Sequence, residues 1–153
     1  MIAVEIPGLG RLHLDHLVLD VNGTLTDRGV LIDGVADRLR TLASQLTVHL
    51  ATADTFGTAE AVAGELGADV SRVTDGDAKV RLLDQLGRDR CVAIGNGRND
   101  EAMLRAAAVG IAVLGPEGAA AGTLAAADIV CRSIKEALDL LLDRRLLIAT
   151  LRT

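Results

Sequence analysis

The chain has 153 residues, a length that suits one domain and leaves little room for a second. Hydrophobic residues make up 50% of it and charged residues 24%, which excludes intrinsic disorder and indicates a packed core. Phe56 is the only aromatic residue, so aliphatic side chains must fill that core. The formal net charge of -5 argues against binding to nucleic acid, because an acidic protein repels the phosphate backbone.

The sequence also argues against a membrane or secreted protein. No stretch reaches the roughly 18 uninterrupted apolar residues of a membrane span. The amino-terminal residues lack the basic and apolar regions of a targeting segment. Cys91 and Cys131 have neither the number nor the spacing of a disulfide framework or zinc site, and we expect buried, reduced thiols. We therefore expect a cytoplasmic protein with no membrane partner.

Short runs of aliphatic and β-branched residues predict strands along the chain. They cover residues 2–6, 16–19, 48–51, 91–94, 109–113 and 129–130, and those from His16 onward are predicted to be buried. Apolar residues with helical spacing lie between them, in stretches that begin at Val35, Ala59, Val80, Leu104 and Ile134. This alternation predicts an α/β fold with a three-layer, Rossmann-like parallel sheet and helices on both faces.

Two segments depart from that alternation. Gly8-Leu9-Gly10 leads into another strand and not into a helix, so it is predicted to be a turn and not a dinucleotide-binding loop. Residues 25–32 carry turn chemistry between two short apolar arms, which predicts a β-hairpin flap after the first central strand. No linker or repeat divides the chain, and a single domain over residues 1–153 is expected.

Polar residues follow three of the predicted strands. Asp20 comes directly after the first central strand, Thr52 after the next, and Asp100 lies in the loop after a third. Ligands bind beyond the carboxyl ends of the strands in an open parallel sheet. Lys79 lies near the start of a helix, where its charge can offset a phosphate. A carboxylate nucleophile, a metal site and a cation are what phosphoryl transfer requires.

Each of these residues also has an ordinary structural explanation. Asp20 and Thr52 are both residue types that cap helices, and an isolated Lys79 is most often a solvated surface residue. Their joint placement at one edge of the sheet favours the functional interpretation. His13, His16 and His49 are predicted at the opposite edge without metal-ligand spacing, and we interpret them as structural.

At these positions the chain resembles the haloacid dehalogenase superfamily, and within it the phosphorylation domain of P-type ATPases. The segment DVNGTLT at residues 20–26 is similar to the family's DKTGTLT, ATADTFGTA at 51–59 to TGDNxxTA, and GNGRNDEAML at 95–104 to GDGxNDxxAL, while Lys79 falls where the family's lysine is expected. GIAV and AADIV further along also match, so the resemblance covers about residues 16–134.

The resemblance implies a catalytic cycle and a set of site residues. Asp20 would attack a phosphoryl group, and Thr52 and Lys79 would hold the resulting aspartyl-phosphate until water cleaves it. Magnesium would be bound by Asp20, Asp100 and the backbone carbonyl of Asn22, with Asn96 as a further metal position. The implied substrate-binding residues are Gly23, Thr24, Ala53, Arg98 and Asn99, although Arg98 could equally lie on a solvated loop.

Two positions depart from the family pattern. Asn22 stands where most phosphatases of the superfamily carry an acid/base Asp, and an amide cannot exchange a proton near neutral pH. General acid-base catalysis is typically worth about 10² to 10⁴ in rate, so hydrolysis is expected to be slow or to need a good leaving group. Asn96 replaces a usual magnesium-binding Asp, which removes one negative charge from the metal site.

The spacing of the motifs leaves no room for a cap domain. Only 32 positions separate Asp20 from Thr52, and 27 separate Thr52 from Lys79. The inserted nucleotide-binding domain and membrane helices of P-type ATPases are absent, which excludes ion pumping. Closure of the site must then come from the hairpin flap, the substrate or a neighbouring subunit, and we expect a homo-oligomer.

These observations lead to two hypotheses for function. The first is a magnesium-dependent phosphohydrolase that acts through an aspartyl-phosphate on a small phosphorylated molecule. The alternative is a catalytically weak or inactive domain of the same fold with a regulatory or partner-binding role, for which Asn22 and Asn96 are the main argument.

Overall fold

The computed structural model describes residues 1–53 and 57–153. Its strands are β1 (Ile2–Ile6), β2 (Gly10–Leu14), β3 (His16–Leu19), β4 (Thr26–Asp27), β5 (Val30–Leu31), β6 (Thr47–Thr52), β7 (Asp69–Arg72), β8 (Cys91–Gly95), β9 (Val109–Val113) and β10 (Ile129–Cys131). Its α-helices are α1 (Val35–Leu42), α2 (Thr58–Leu66), α3 (Gly76–Leu86), α4 (Glu101–Ala106), α5 (Ala121–Ala126), α6 (Ile134–Leu142) and α7 (Arg144–Leu151). Two short 3-10 helices cover Arg88–Arg90 and Arg98–Asp100.

A six-stranded sheet in the order β10-β9-β8-β3-β6-β7 forms the centre of the fold, and all of its pairings are parallel. Strand β3 lies between β8 and β6, with Leu19 opposite both Ile94 and Leu50. The residue after Leu19 therefore leaves the middle of the sheet at its carboxyl edge. The predicted α/β, Rossmann-like parallel fold is confirmed.

The sheet separates two hydrophobic clusters because successive side chains on a strand point to opposite faces. On β3, Leu17 and Leu19 belong to the larger cluster, while Val18 belongs to the smaller one. The larger cluster gathers side chains from α1, α2, α6, α7 and the β1-β2 hairpin, and the smaller one gathers those from α3 and α4. Both layers are aliphatic, as the composition predicted.

Two antiparallel hairpins extend the parallel sheet. The first pairs β1 with β2 around the predicted glycine turn. The second pairs β4 with β5, where Arg28 (φ 50°) and Gly29 (φ 82°) both have the positive φ of a type I′ turn. This second hairpin is the predicted flap, and its Val30 side chain is 70% exposed.

The structure differs from the sequence-based expectation at the two sheet edges. Strand β7 is an added edge strand that was not predicted, since Val70 is its only aliphatic residue. Strand β10 forms the other edge and is not fully buried, because Val130 is 49% exposed. Edge strands contact protein on one side only and therefore need no continuous apolar run.

Two further expectations concern membrane-spanning segments and the cysteines. Within residues 1–53 and 57–153, no helix has the length and apolarity required to cross a bilayer. Both cysteines are free and buried, and burial raises the pKa of the Cys91 and Cys131 thiols to about 11. The single domain over residues 1–153 stays a prediction.

Candidate active site

Asp20 occupies the carboxyl edge of the sheet, directly after β3. Its N–H donates to the carbonyl of Ile94 (3.0 Å), which continues the strand ladder by one residue. The chain then turns tightly, because the carbonyl of Val21 accepts from the N–H groups of Thr24 (3.2 Å) and Leu25 (2.9 Å). The turn leaves the Asp20 side chain 8% exposed, at the edge where a ligand would approach.

Lys79 reaches this carboxylate from the first turn of α3. That helix begins at an N-cap, Asp75, whose Oδ1 accepts from the N–H of Ala78 (2.7 Å). The Lys79 ammonium donates to Asp20 Oδ1 at 2.8 Å and to Asp100 Oδ1 at 2.6 Å. It is only 1% exposed, so the lysine is a buried cation held between two carboxylates.

Asp100 is the most enclosed member of this group, with no exposed surface. Its Oδ2 accepts from the backbone N–H groups of Asn96 (3.1 Å) and Gly97 (3.0 Å), while its Oδ1 accepts from Lys79. Both oxygens are therefore engaged. Asp100 fixes the loop after β8 and orients the lysine, whereas its predicted role as a direct metal ligand stays a prediction.

Thr24 links the turn of residues 20–25, which follows β3 and carries the predicted nucleophile, to the loop after β8. This turn is called the nucleophile turn. Its hydroxyl lies 3.0 Å from Asp20 Oδ2 and 3.1 Å from Asn96 Oδ1, and it is fully buried. Since a hydroxyl carries one hydrogen, it can donate to only one of these oxygens at a time. The Asn96 amide nitrogen donates to the carbonyl of Gly118 (2.9 Å), a contact that the sequence analysis did not foresee.

The charges of this cluster shift one another's protonation. Burial, and then the negative charge of Asp100, raise the pKa of Asp20 to about 6, although Lys79 and Thr24 act in the opposite direction. Burial alone would lower the pKa of Lys79, but the two carboxylates outweigh it and the pKa is raised. The lysine is therefore charged at neutral pH, and it can stabilise negative charge on a bound phosphoryl group.

Thr52 also lies at the carboxyl edge, as the last residue of β6. It is 2% exposed, and its carbonyl accepts from the N–H of Val73 (3.0 Å). Ala53 follows it and is exposed. Residues 54–56, in the middle of the motif that begins at Ala51, lie outside the described residues.

The remaining predicted positions surround the buried cluster at the protein surface. Asn22, Arg98 and Asn99 are exposed, and Gly23 is buried in the nucleophile turn. Arg98 begins the 3-10 helix that ends at Asp100, so it is placed beside the cluster and within reach of solvent. The structure thus groups Asp20, Thr24, Lys79, Asn96 and Asp100 in one hydrogen-bonded network and leaves the other candidates around it.

Several oxygen atoms at this edge of the sheet could hold magnesium. Asp20, Asn96 and the Asn22 backbone supply oxygen atoms, which is the ligand type that Mg²⁺ prefers. In the part of the chain that the structure describes, no group of three or more His, Cys, Asp or Glu side chains is arranged to hold a metal. The residues fit a hard cation by atom type, but with few negative charges.

Comparison with solved structures places the fold among phosphatases and ATPase catalytic domains. The 3-deoxy-D-manno-octulosonate 8-phosphate phosphatase from Moraxella catarrhalis, solved in complex with a magnesium ion, a phosphate ion and a KDO molecule, has a TM-score of 0.70 at 23% identity over 92% of this chain and 94% of that chain. The catalytic domain of the CPx-ATPase CopB-B has a TM-score of 0.65 at 25% identity over 75% of this chain, but only 47% of that chain is covered.

Sequence comparison gives one curated relative and one family. An uncharacterized protein of Methanocaldococcus jannaschii is 46% identical over 79 residues, which span 49% of this chain and 85% of that protein. The sequence model for haloacid dehalogenase-like hydrolases matches residues 5–108, about two thirds of the chain. The resemblance carried by the motifs around Asp20, Lys79 and Asp100 is thereby confirmed, and the chain belongs to the haloacid dehalogenase-like hydrolases.

Proposed function

We propose that this protein is a magnesium-dependent phosphohydrolase that acts through an aspartyl-phosphate on a small phosphorylated molecule. One observation carries the proposal: a buried lysine joins the carboxylate of Asp20 to that of Asp100 at the carboxyl edge of the sheet. A purely structural lysine seldom loses its solvent to lie between two acids, since burying charges costs several kcal/mol per ion. Charged groups are buried at such a cost mainly in functional sites, where their charge takes part in binding or catalysis.

In the first step, an Asp20 oxygen attacks the phosphorus of the substrate. A new phosphorus–oxygen bond forms to Asp20, and the bond to the leaving oxygen breaks with its electron pair going to that oxygen. Lys79, which donates to Asp20, would also donate to the transferring oxygens, and Thr52, the last residue of the neighbouring strand β6, would do the same. Asp20, the Asn22 carbonyl, Asn96 and Asp100 would hold Mg²⁺, which offsets phosphate charge when bound.

In the second step, a water molecule attacks the phosphorus of the aspartyl-phosphate. The bond between phosphorus and the Asp20 oxygen breaks and the carboxylate is restored. Inorganic phosphate leaves with the oxygen and the protons of the water, and it ionises in solvent. Asn22 can neither take a proton from this water nor give one to the leaving group in the first step. The proposed enzyme therefore acts best on substrates whose leaving oxygen needs no proton, such as acyl phosphates or aryl phosphates.

Hydrolysis of an aryl phosphate in the presence of Mg²⁺ tests this function. Asp20→Asn should abolish turnover, since the amide is not a nucleophile. Asp89→Asn is the matched control, because that exposed residue lies in the 3-10 helix before β8, at the far end of the strand, and undergoes the same chemical change. Turnover that survives Asp20→Asn would reject the proposal.

A second measurement separates the enzyme from the alternative of a regulatory domain. Beryllium fluoride mimics a phosphoryl group on an aspartate, so it should stabilise the wild type in a Mg²⁺-dependent manner and leave Asp20→Asn unchanged. A wild type without turnover that still traps fluoride would favour a regulatory phosphate-binding domain. A wild type with neither property would leave only a partner-binding role for the fold.

A further inference from the structure

The loop after β9 packs tightly against the nucleophile turn. Gly115 and Gly118 form a bridge across this loop. A Cβ atom at Gly115 would lie 2.6 Å from the Gly23 carbonyl oxygen, so only glycine allows this approach. A Cβ atom at Gly23, whose φ is 74°, would lie 2.2 Å from Oε2 of Glu117. The Glu117 carboxylate thus lies directly beside the turn that follows Asp20.

Asn96 holds this loop in place through its amide group. Its Nδ2 donates to the carbonyl of Gly118 at 2.9 Å. The backbone carbonyl of Asn96 also accepts from the N–H of Ala120 at 3.0 Å, a contact that does not depend on the side chain. A carboxylate at position 96 has no hydrogen to donate and would face the Gly118 carbonyl with like partial charge. The amide of Asn96 therefore holds the loop by a hydrogen bond that the family's usual Asp at this position could not donate.

The charges at the site leave a place for another carboxylate. Asp100 has both oxygens engaged, and it shares the Lys79 ammonium with Asp20. Because Asn96 is neutral, a divalent cation beside Asp20 would meet few negative ligands. Within residues 1–53 and 57–153, no hydrogen bond or ion pair engages the exposed Glu117 carboxylate. Glu117 is thus a carboxylate beside the turn that can still take a ligand.

We propose that Glu117 is a cation ligand of this site, and that Asn96 is a positioning residue whose amide keeps the Glu117 loop over the nucleophile turn. The negative charge absent at position 96 is then supplied from the loop after β9. This inference rests on the proposed function, since it assigns a further residue to the same magnesium site. It also gives Asn96 a role that a merely inactivated family member would not need.

Direct measurement of Mn²⁺ binding, by titration calorimetry and by the electron paramagnetic resonance signal of the free ion, tests the proposal without any turnover. Mn²⁺ is a suitable probe because it takes the same oxygen ligands as Mg²⁺. Glu117→Gln should weaken binding at least about 10-fold, because it removes one charged ligand. Glu65→Gln is the matched control, since Glu65 is exposed on α2 and undergoes the same loss of charge.

The outcomes separate this inference from the proposed function. If the wild type binds Mn²⁺ and Glu117→Gln binds equally well, Glu117 is not a ligand, while the magnesium-dependent enzyme stands. If the wild type binds no Mn²⁺ at millimolar concentration, both proposals fail. Weakening in Glu117→Gln but not in Glu65→Gln supports the assignment.

A double-mutant cycle tests the role assigned to Asn96. In Asn96→Asp the loop loses its amide contact and the new carboxylate can ligate the ion itself. We therefore expect Glu117→Gln to weaken Mn²⁺ binding much less in the Asn96→Asp background than in the wild type. An equal weakening in both backgrounds would show that Asn96 does not position Glu117. If Asn96→Asp fails to fold, Asn96→Ser, which also lacks the amide donor, takes its place in the cycle.

Discussion

Strands β3 and β6 carry polar groups at both ends, and the two groups differ in charge. At the carboxyl edge, Asp20 follows β3 and is ion-paired with Lys79. At the amino edge, His16 begins β3 and its Nδ1 lies 3.1 Å from Nε2 of His49 on the adjacent strand β6. Asp69 on β7 lies 3.9 Å from Nδ1 of His49.

The two ends differ in how they limit the free-energy cost of burying charged groups. The carboxyl edge keeps its ions, since one ammonium offsets two carboxylates that would otherwise repel each other. The amino edge favours a neutral imidazole: burial, and then His16, lower the pKa of His49 against the opposing effect of Asp69. A network that stays ionised can bind a phosphate and a cation, whereas a neutral imidazole mainly satisfies hydrogen bonds. The predictions below test this distinction.

Removal of Lys79 should have the largest effect. Lys79→Met leaves the Asp20 and Asp100 carboxylates buried together without a counter-charge, a change that typically costs about 3–5 kcal/mol of stability. Urea unfolding should show that loss, and phosphatase activity should disappear with it. Lys135→Met is the matched control, since Lys135 is the only other lysine and lies on α6. A Lys79→Met protein as stable as the wild type would show that the carboxyl edge does not depend on its ions.

A carboxylate at position 22 should change the chemistry more than the stability. Asn22 is exposed, so Asn22→Asp adds an acid at little folding cost. If this residue limits proton transfer, turnover of an alkyl phosphate should rise by about 10² or more. Turnover of an aryl phosphate should rise far less, because its leaving group needs no proton. Equal changes for both substrates would contradict the role assigned to this position.

Asp20→Asn should raise stability at neutral pH while it removes activity. Folding raises the pKa of Asp20 from 3.8 to about 6. The resulting contribution to the free energy of unfolding is fully present below about pH 3.8 and is lost as the pH rises through 6. The neutral amide avoids that loss, and a gain of about 1–3 kcal/mol is expected near pH 7.5. Urea unfolding of Asp20→Asn and the control Asp89→Asn measures it. A less stable Asp20→Asn protein would mean that the bond to Lys79 outweighs the cost of burial.

The sequence predicts the parts of this molecule that depend on local pattern. Strand β3 and Asp20 after it were predictable, because an apolar run and the polar residue that ends it are adjacent in the chain. Lys79 was predictable as a cation near the start of a helix, and the family motifs supported it, but its two ion pairs were not, since its partners are 59 and 21 positions away. Glu117 was not predictable, because its closeness to Gly23 depends on how two loops pack.

The same limit explains the differences at the sheet edges and the unforeseen contacts of Asn96. Strand β7 carries no aliphatic run, and its pairing with β6 is a tertiary contact that no local pattern announces. Asn96 was interpreted from sequence as a weakened metal ligand. Its contacts with Thr24 and Gly118, 72 and 22 positions away, show a connecting role that depends on both ends of its amide.

The smallest effect should come from the amino edge and should have the opposite pH dependence. Because the pKa of His49 is lowered in the folded protein, the unfolded chain binds a proton more readily, and stability is lost as the pH falls below 6.5. For one proton the slope cannot exceed about 1.4 kcal/mol per pH unit. His49→Gln should flatten this slope in urea unfolding between about pH 5 and 7, whereas His13→Gln on β2 should not. The measurement is cleanest in the Asp20→Asn background, where the opposing titration at the carboxyl edge is removed. If His49→Gln leaves the slope unchanged there, the histidine pair is not the acid-sensitive element of the sheet.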